Sequence, residues 1–231
     1  MLEKPQNVYE YCREFFSFYN IDKDKIIFDP LIISGPSGVG KGTIIKQLLK
    51  EYPNIFDFSI SYTTRKAQQN ETDGIEYFFV SKEEFEKEIR NQSFIEYCIF
   101  QGEYYGTHKG KLQSIIQSQK IAILEIDIEG AKKIHKQNPE WNYIYLIPPD
   151  LQQLEYRLKQ LMLFQYLKYI INRQQNLEEE IYKSRMQSAN QELEDYRKLG
   201  FYSTIVNEDK DQCIKEIVNF TKTHYSKIQF G

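Results

Sequence analysis

The segment "GPSGVGKGT" at residues 35–43 constrains the fold more than any other part of the sequence. It follows the short apolar run "LIISG" and opens "GKGTIIKQLLKEY", a segment with helical spacing of apolar residues that Pro53 closes. A buried strand that enters a glycine-rich turn and continues as a helix is the start of a βαβ unit. The segment therefore predicts an α/β fold with a parallel sheet wrapped by helices.

The remainder of the chain continues this alternation of strands and helices. The continuous apolar runs "IAILEID" and "NYIYLIP" are typical of central parallel strands covered on both faces. Helical segments follow them at 128–137 and from Asp150, and "STIV" at 203–206 predicts one more strand before a final helix near Asp209.

The hydrophobic pattern of the sequence changes between Phe58 and His108. The shorter alternating segments "FSISYTT", "IEYFFV", "FIEYCIF" and "EYYGT" predict a small, mainly antiparallel lobe inserted into the core. One helix, "SKEEFEKEIRNQ", interrupts them, and its Ser81 and Glu84 have the spacing of a capping box.

The composition excludes several classes of partner. With 30 basic and 33 acidic residues the net charge is −3, so we expect neither nucleic acid nor a membrane as a partner. Cys12, Cys98 and Cys213 are odd in number and lack metal spacing, which favours reduced thiols and a cytoplasmic location. No apolar run reaches 18 residues and no signal peptide is evident, and "VYEYCREFFSFYN" predicts an amphipathic helix in an N-terminal extension over 1–29.

The opening segment also has the chemistry of a phosphate-binding loop. Gly35, Gly40 and Lys41 fit the spacing G-x-x-x-x-G-K, in which converging backbone N–H groups and a helix N-terminus bind phosphates and the lysine adds a charge. Gly42 occupies the position where a Mg²⁺-ligating Ser or Thr is usual, so magnesium is expected to bind through Thr43 or through water. The predicted ATP-binding residues are Gly35, Pro36, Ser37, Gly38, Val39, Gly40, Lys41, Gly42 and Thr43.

Five motifs together indicate a family. "FSISYTTR", "ETDGIEYFFV", "FIEY", "YYGT" and "ILEID" occur in the order and approximate spacing of guanylate kinases, and the match runs from about Pro30 to Ser226. The chain thus resembles the guanylate kinase family of P-loop nucleoside monophosphate kinases. The resemblance implies a three-layer P-loop sandwich, an inserted GMP-binding lobe and a helical lid, with ATP and GMP (or dGMP) as substrates, Mg²⁺ as cofactor and a monomer as the expected state, a dimer being left open.

The resemblance also implies boundaries for these parts. The kinase-like domain would span 30–226, with the GMP-binding lobe at 58–108 and a lid containing an insertion at 158–177. The core would comprise 30–57, 109–157 and 178–226.

The resemblance assigns roles to residues of the acceptor site. Glu96 and Thr107 match residues that recognise guanine, and a carboxylate can accept hydrogen bonds from the guanine N1–H and N2–H₂ together, which adenine cannot donate. Glu125 and Asp127 match an acidic pair near the acceptor and magnesium, although the family usually has Asp at the first position. The residues that match the binding site of the GMP phosphate are Ser61, Arg65, Tyr77 and Tyr105.

The chain departs from the family pattern at two places. Gln68 stands where a second arginine for the acceptor phosphate is usual, which leaves Arg65 and, in part, Lys66 as the cations. The lid contains about a dozen additional residues after Arg157 and Leu158, and we interpret them as a helix extension, a segment docked on the core, or an error in the gene model. The lid arginines that match best are Arg173 and Arg185, which together with Lys41 and Arg65 are the candidate catalytic residues.

Two other functions remain open at this point. Guanylate-kinase-like modules of scaffold proteins use the same lobe to bind phosphopeptides and lack catalysis, but they typically lack the loop lysine that this chain has at Lys41. A kinase for another nucleoside monophosphate is the second alternative, and Glu96 argues against it because its predicted partner is guanine.

Overall fold

The computed structural model of the chain describes residues 27–100, 102–167 and 175–230. The predicted N-terminal helix, Arg173 and the last part of the predicted lid insertion, residues 168–172, therefore lie outside the described residues. The strands are β1 (Leu31–Ser34), β2 (Phe56–Phe58), β3 (Tyr62–Thr63), β4 (Phe78–Phe79), β5 (Phe94–Phe100), β6 (Glu103–His108), β7 (Ile121–Glu125), β8 (Asn142–Ile147) and β9 (Ser203–Val206). The helices are α1 (Lys41–Glu51), α2 (Lys82–Arg90), α3 (Lys109–Gln117), α4 (Ile128–Gln137), α5 (Leu151–Leu167), α6 (Gln175–Arg197) and α7 (Lys210–His224).

A five-stranded sheet with the order β2-β7-β1-β8-β9 forms the centre of the fold. β2 pairs with β7 in parallel, and β8 pairs with β9 in parallel. The apolar runs predicted to be central strands are indeed buried along their length, since Ile121 to Leu124 and Tyr143 to Leu146 are all at most 3% exposed. The α/β fold with a central parallel sheet is confirmed.

The described chain divides into two compact units, and the division falls within β1. The first unit contains the described residues up to Ile32, Leu49–Asn142 and the C-terminal residues from Lys227. The second unit contains Ile33–Leu48 and Tyr143–Ser226.

The first unit contains the predicted lobe as a second sheet with the order β4-β3-β6-β5. β6 pairs antiparallel with both β3 and β5, whereas the short β4 pairs with β3 in parallel. The lobe has a small aromatic core, in which the fully buried ring of Phe85 stacks on Phe94 at 4.3 Å and on Tyr104 at 5.1 Å. Phe85 belongs to α2, and the capping box of Ser81 and Glu84 at the start of that helix is confirmed.

The predicted strand "FSISYTT" is divided between the two sheets. Phe58, at the predicted start of the lobe, is the last residue of β2 and pairs with Ile123 in the parallel sheet. The chain then crosses to the lobe, where Tyr62 and Thr63 form β3.

In the second unit, α6 packs against the strand β8 through aromatic rings. The ring of Tyr196 stacks on the buried ring of Tyr145 at 4.1 Å, and the Tyr196 hydroxyl is hydrogen bonded to Thr204 of β9. The Tyr145 hydroxyl donates to the carbonyl of Glu192 at 3.3 Å. Within the described ranges, no helix is both long enough and apolar enough to cross a membrane.

Candidate functional site

The loop between β1 and α1 adopts a conformation that requires glycine. Gly35 has φ 152°, and a Cβ atom there would lie 2.5 Å from the carbonyl oxygen of Leu146. Gly38 has φ 84°, and a Cβ atom there would lie 2.7 Å from the side chain of Leu158. At Gly35 a Cβ atom would meet backbone, and at Gly38 the left-handed φ strains any residue with a Cβ, so the loop depends on these glycines where it passes close to β8 and α5.

Lys41 is the first residue of α1 and lies over the loop. Its Nζ donates hydrogen bonds to the carbonyl oxygens of Gly35 at 2.6 Å and Pro36 at 3.3 Å. The first turn of α1 contains no acidic residue, and Thr43 in that turn is exposed. The first N–H groups of a helix have no partner within the helix, and together with a lysine and a hydroxyl they are a set of donors suited to phosphate.

Two residues not predicted from the sequence hold this loop from outside. Asn207, which follows β9 and is 7% exposed, donates from Nδ2 to the carbonyl oxygen of Val39 at 2.7 Å. Arg157 of α5 donates to the same oxygen at 3.1 Å and to the carbonyl of Glu208 at 3.4 Å. Arg157 therefore supports the phosphate loop. The one feature of the sequence that could have drawn attention to Asn207 is its position directly after a predicted strand.

In the first unit, three of the predicted phosphate-binding residues lie together. The guanidinium carbon of Arg65 is 5.4 Å from the centre of the Tyr77 ring, and the Tyr77 and Tyr105 rings are 5.8 Å apart. Burial, and next the nearby charge of Glu125, raise the pKa of Tyr77, so its hydroxyl remains a neutral donor. One cation and two hydroxyl groups thus converge on one surface of the lobe, as recognition of a phosphate monoester requires.

Glu71 also belongs to this cluster. It is the first residue of the motif "ETDGIEYFFV", but the sequence assigned no role to it. Its carboxylate accepts two hydrogen bonds from Arg65, at 2.8 and 2.9 Å, and a third from the backbone N–H of Gln68 at 2.7 Å. The spacing of six residues between Arg65 and Glu71 crosses a loop without periodicity, so no local pattern could have revealed the pair.

Glu96 and Thr107, predicted to recognise guanine, face each other across β5 and β6. They are directly paired in the strand register, and the Thr107 hydroxyl donates to Oε1 of Glu96 at 2.8 Å. Desolvation by burial raises the pKa of Glu96 to about 7, while the Thr107 hydrogen bond opposes this shift and the charge of Asp127 adds to it. A desolvated carboxylate of this kind recognises paired N–H donors well because water competes poorly for it.

Asp127 and Glu125 lie at the end of β7, at the entry to α4. Asp127 is the N-cap residue of α4, and its carboxylate accepts from the Gly130 N–H at 2.7 Å. A Cβ atom on Gly130 would lie 3.1 Å from Oε2 of Glu96, so the first turn of α4 passes close to that carboxylate. Asp127 lies close to Glu96, since its Oδ1 and the Glu96 Oε2 would be 3.2 and 3.1 Å from the same Cβ on Gly130. Glu125 is within electrostatic range of Tyr77, where its charge contributes to the raised pKa of the tyrosine after the larger effect of burial.

Two other predicted residues have less defined surroundings. Ser61 lies between β2 and β3, where its carbonyl accepts from the N–H of Phe78 at 2.9 Å. Arg185 lies half-buried on α6 in the second unit.

The parallel sheet and the loop around Lys41 define the chain as an α/β protein of the P-loop class. Comparison with known proteins then specifies the family, because the family model described as guanylate kinase matches residues 28–224. The chain belongs to the guanylate kinase family.

Individual relatives agree with this assignment. The chain is 37% identical to a guanylate kinase of Schizosaccharomyces pombe over 81% of this chain and 87% of the relative. It is 36% identical to guanylate kinase 1 of Arabidopsis thaliana over 82% of this chain but 46% of the relative, so the chain spans about half the length of that plant protein. The crystal structure of guanylate kinase from Anaplasma phagocytophilum matches with a TM-score of 0.63 and 25% identity, covering 87% of this chain and 88% of that one.

Proposed function

We propose that this chain transfers the γ-phosphoryl group of ATP to GMP, giving ADP and GDP. The observation that carries the proposal is the half-buried carboxylate of Glu96, which Thr107 holds in the same lobe as Arg65, Tyr77 and Tyr105. The carboxylate would bind the edge of guanine, and the cation and hydroxyl groups would bind the phosphate. Together they would bind the two ends of GMP.

The proposed roles follow from the chemistry of phosphoryl transfer. The transition state is loose and highly charged, so catalysis depends on positioning and on electrostatic stabilisation rather than on a protein nucleophile. Lys41 and the amides of its loop would bind the phosphates of ATP, and Arg65 would orient the phosphate of GMP. Arg173 and Arg185, the best matches to the lid arginines of the family, would stabilise the transferred group, and closure of the lid would exclude water.

The proposed cofactor is Mg²⁺, which would neutralise charge on the phosphates of ATP. Mg²⁺ prefers oxygen ligands and usually retains several water molecules, with phosphate oxygens completing its shell. The exposed hydroxyl of Thr43 in the first turn of α1 is a donor of this type. Among the described residues no three His, Cys, Asp or Glu side chains gather as a metal site, so the substrate phosphates and water would supply most of the ligands.

We also propose the organisation that the family resemblance implies. Residues 58–108 would bind GMP, 158–177 would form the lid, and the protein would act as a monomer in the cytoplasm. Cys98 and Cys213, both of which are free thiols, are consistent with a reducing compartment.

The experiment that tests this function measures ADP release from ATP and Mg²⁺ with GMP, AMP, CMP or UMP offered separately. We expect GMP to exceed AMP by about 10⁴-fold or more in kcat/KM, since a site built for the guanine donors leaves Glu96 unpaired with adenine. Equal rates with AMP would remove the guanine assignment. Absence of turnover together with binding of a phosphopeptide would instead identify a scaffold-type module.

A further inference from the structure

The loop from Arg65 to Glu71 is closed by a single carboxylate. Arg65 donates from Nη1 to Oε2 of Glu71 at 2.8 Å and from Nη2 to Oε1 at 2.9 Å, a two-pronged ion pair. Oε2 of Glu71 also accepts the backbone N–H of Gln68 at 2.7 Å. Both oxygens of Glu71 are thus engaged within the loop, and the Arg65 interaction lowers the pKa of Glu71.

The same contacts fix the guanidinium group in one orientation. The guanidinium carbon lies 5.4 Å from the centre of the Tyr77 ring and 5.7 Å from that of Phe79. Nη1 donates in addition to the carbonyl oxygen of Lys66 at 2.9 Å. Arg65 and Glu71 are 24% and 17% exposed, so water has limited access to the pair.

The donors of Arg65 can be counted. A guanidinium group has five N–H bonds, and Glu71 and Lys66 take three of them. The other two N–H bonds are engaged by neither residue, and Tyr105 is close enough to the guanidinium to raise the pKa of Arg65 further, beyond the larger effect of Glu71. The orientation set by Glu71 therefore places Arg65 beside a tyrosine whose hydroxyl group is assigned to the acceptor phosphate.

We propose that Glu71 is a positioning residue for GMP, which acts by holding Arg65 so that the side of the guanidinium not engaged by Glu71 and Lys66 faces the acceptor phosphate. This inference rests on the proposed function. The orientation of Arg65 matters more in this chain because Gln68 stands in place of the second arginine. Binding of the phosphate then depends more strongly on one correctly oriented cation.

An opposite role for Glu71 makes a different prediction. As a competitor that neutralises Arg65, the carboxylate would weaken GMP binding, and its removal would lower the GMP KM. We expect the positioning role to dominate because a free arginine side chain would have to lose its rotational freedom when GMP binds.

The test compares Glu71→Gln with the wild type and with Glu76→Gln in steady-state kinetics and in direct GMP binding. Glu76 is a matched control because its carboxylate accepts a backbone hydrogen bond in the same region, from Thr72 at 2.9 Å, without contacting Arg65. We expect Glu71→Gln to raise the GMP KM and the GMP dissociation constant about tenfold while the ATP KM changes less than about twofold. Glu76→Gln should leave the GMP KM within about twofold of the wild type.

A double substitution separates positioning from a general effect on folding. In an Arg65→Lys background the bidentate pair is already lost, so adding Glu71→Gln should change the GMP KM by less than about twofold. If Glu71→Gln does not fold, Glu71→Asp is compared with the wild type instead. Aspartate retains the charge, but its shorter side chain weakens the two hydrogen bonds to Arg65.

The outcomes are distinguishable. A wild type that binds and turns over GMP, with an unchanged or lowered GMP KM in Glu71→Gln, would overturn the positioning role alone. A wild type without GMP turnover would overturn the proposed function, and the measured affinities for GMP would still decide whether Glu71 supports its binding.

Discussion

The protonation state of Glu96 leads to a specific prediction about pH. Burial raises the pKa of this carboxyl group to about 7 in the free protein, and only the ionised form can accept from both N–H groups of guanine. GMP binding should therefore strengthen as the pH rises through 7. With a pKa near 7 the ionised fraction is about 0.09 at pH 6 and about 0.91 at pH 8, so this group alone should lower the GMP KM about tenfold between those values.

The assay is the GMP KM at saturating ATP and Mg²⁺ from pH 6 to pH 8. The GMP phosphate itself titrates near pH 6, so Glu96→Gln serves as the control that retains only this second titration. Dividing the two profiles isolates the contribution of Glu96. Identical profiles in the two proteins would refute the argument that an ionised Glu96 binds guanine.

A second variant tests how the Thr107 hydrogen bond affects the pKa of Glu96. The Thr107 hydroxyl donates to Glu96 at 2.8 Å and lowers its pKa. Thr107→Val should therefore move the midpoint of the profile to higher pH by roughly one to two units, because a hydrogen bond to a charged group contributes about 1.5–3 kcal/mol. A midpoint shifted to lower pH would contradict this assignment.

Three further substitutions test separate parts of the site. Lys41→Ala should reduce GMP-dependent ADP release at least about hundredfold, with little change in thermal unfolding, because its Nζ donates to loop carbonyls and the residue is not part of the apolar core; full turnover would disprove its role. Gln68→Arg should lower the GMP KM by roughly three- to thirtyfold, about 0.7–2 kcal/mol, by adding a second cation, and kinetics with varied GMP would check it. Gly130→Ala should raise the GMP KM about tenfold and leave the ATP KM unchanged, because its Cβ would lie 2.6 Å from Cγ2 of Ile126 and 3.1 Å from the Glu96 carboxylate, so that the first turn of α4 would shift against Glu96; equal effects on both substrates would point to general misfolding.

The parts of the fold that were predicted correctly have local causes. The buried strands are continuous apolar runs, the loop is specified by glycines that no other residue can replace, and α2 begins at a capping box written in four consecutive residues. Each of these features depends on neighbours in the sequence. They required no knowledge of the tertiary structure.

The segment "IEYFFV" shows where local pattern was insufficient. Its alternation predicted a longer strand, yet β4 contains only Phe78 and Phe79. The residues before Phe78 form a local turn instead, in which the N–H groups of Ile75 and Glu76 donate to the carbonyl of Thr72 at 3.1 and 3.4 Å and the Glu76 carboxylate accepts from the N–H of Thr72 at 2.9 Å. Such local bonds compete with strand pairing and shorten the strand.

The site shows the same division between local and distant causes. The residues matched by motifs, such as Glu96 and Thr107, could be proposed because strand pairing brings alternate residues of β5 and β6 face to face. Asn207 and Arg157 could not, because they reach the carbonyl of Val39 from positions 168 and 118 residues away in the sequence. Contacts from a side chain to a distant backbone atom leave no periodic signal.

The lid insertion can now be placed relative to the phosphate loop. α5 continues without interruption to Leu167, so residues 159–167, the first part of the predicted insertion, are helical. The anchors of that helix precede the insertion, since Leu154 and Leu158 are fully buried and Leu158 packs over Gly38, while Arg157 holds Val39. Additional residues after Leu158 therefore lengthen a helix that is already fixed to the loop.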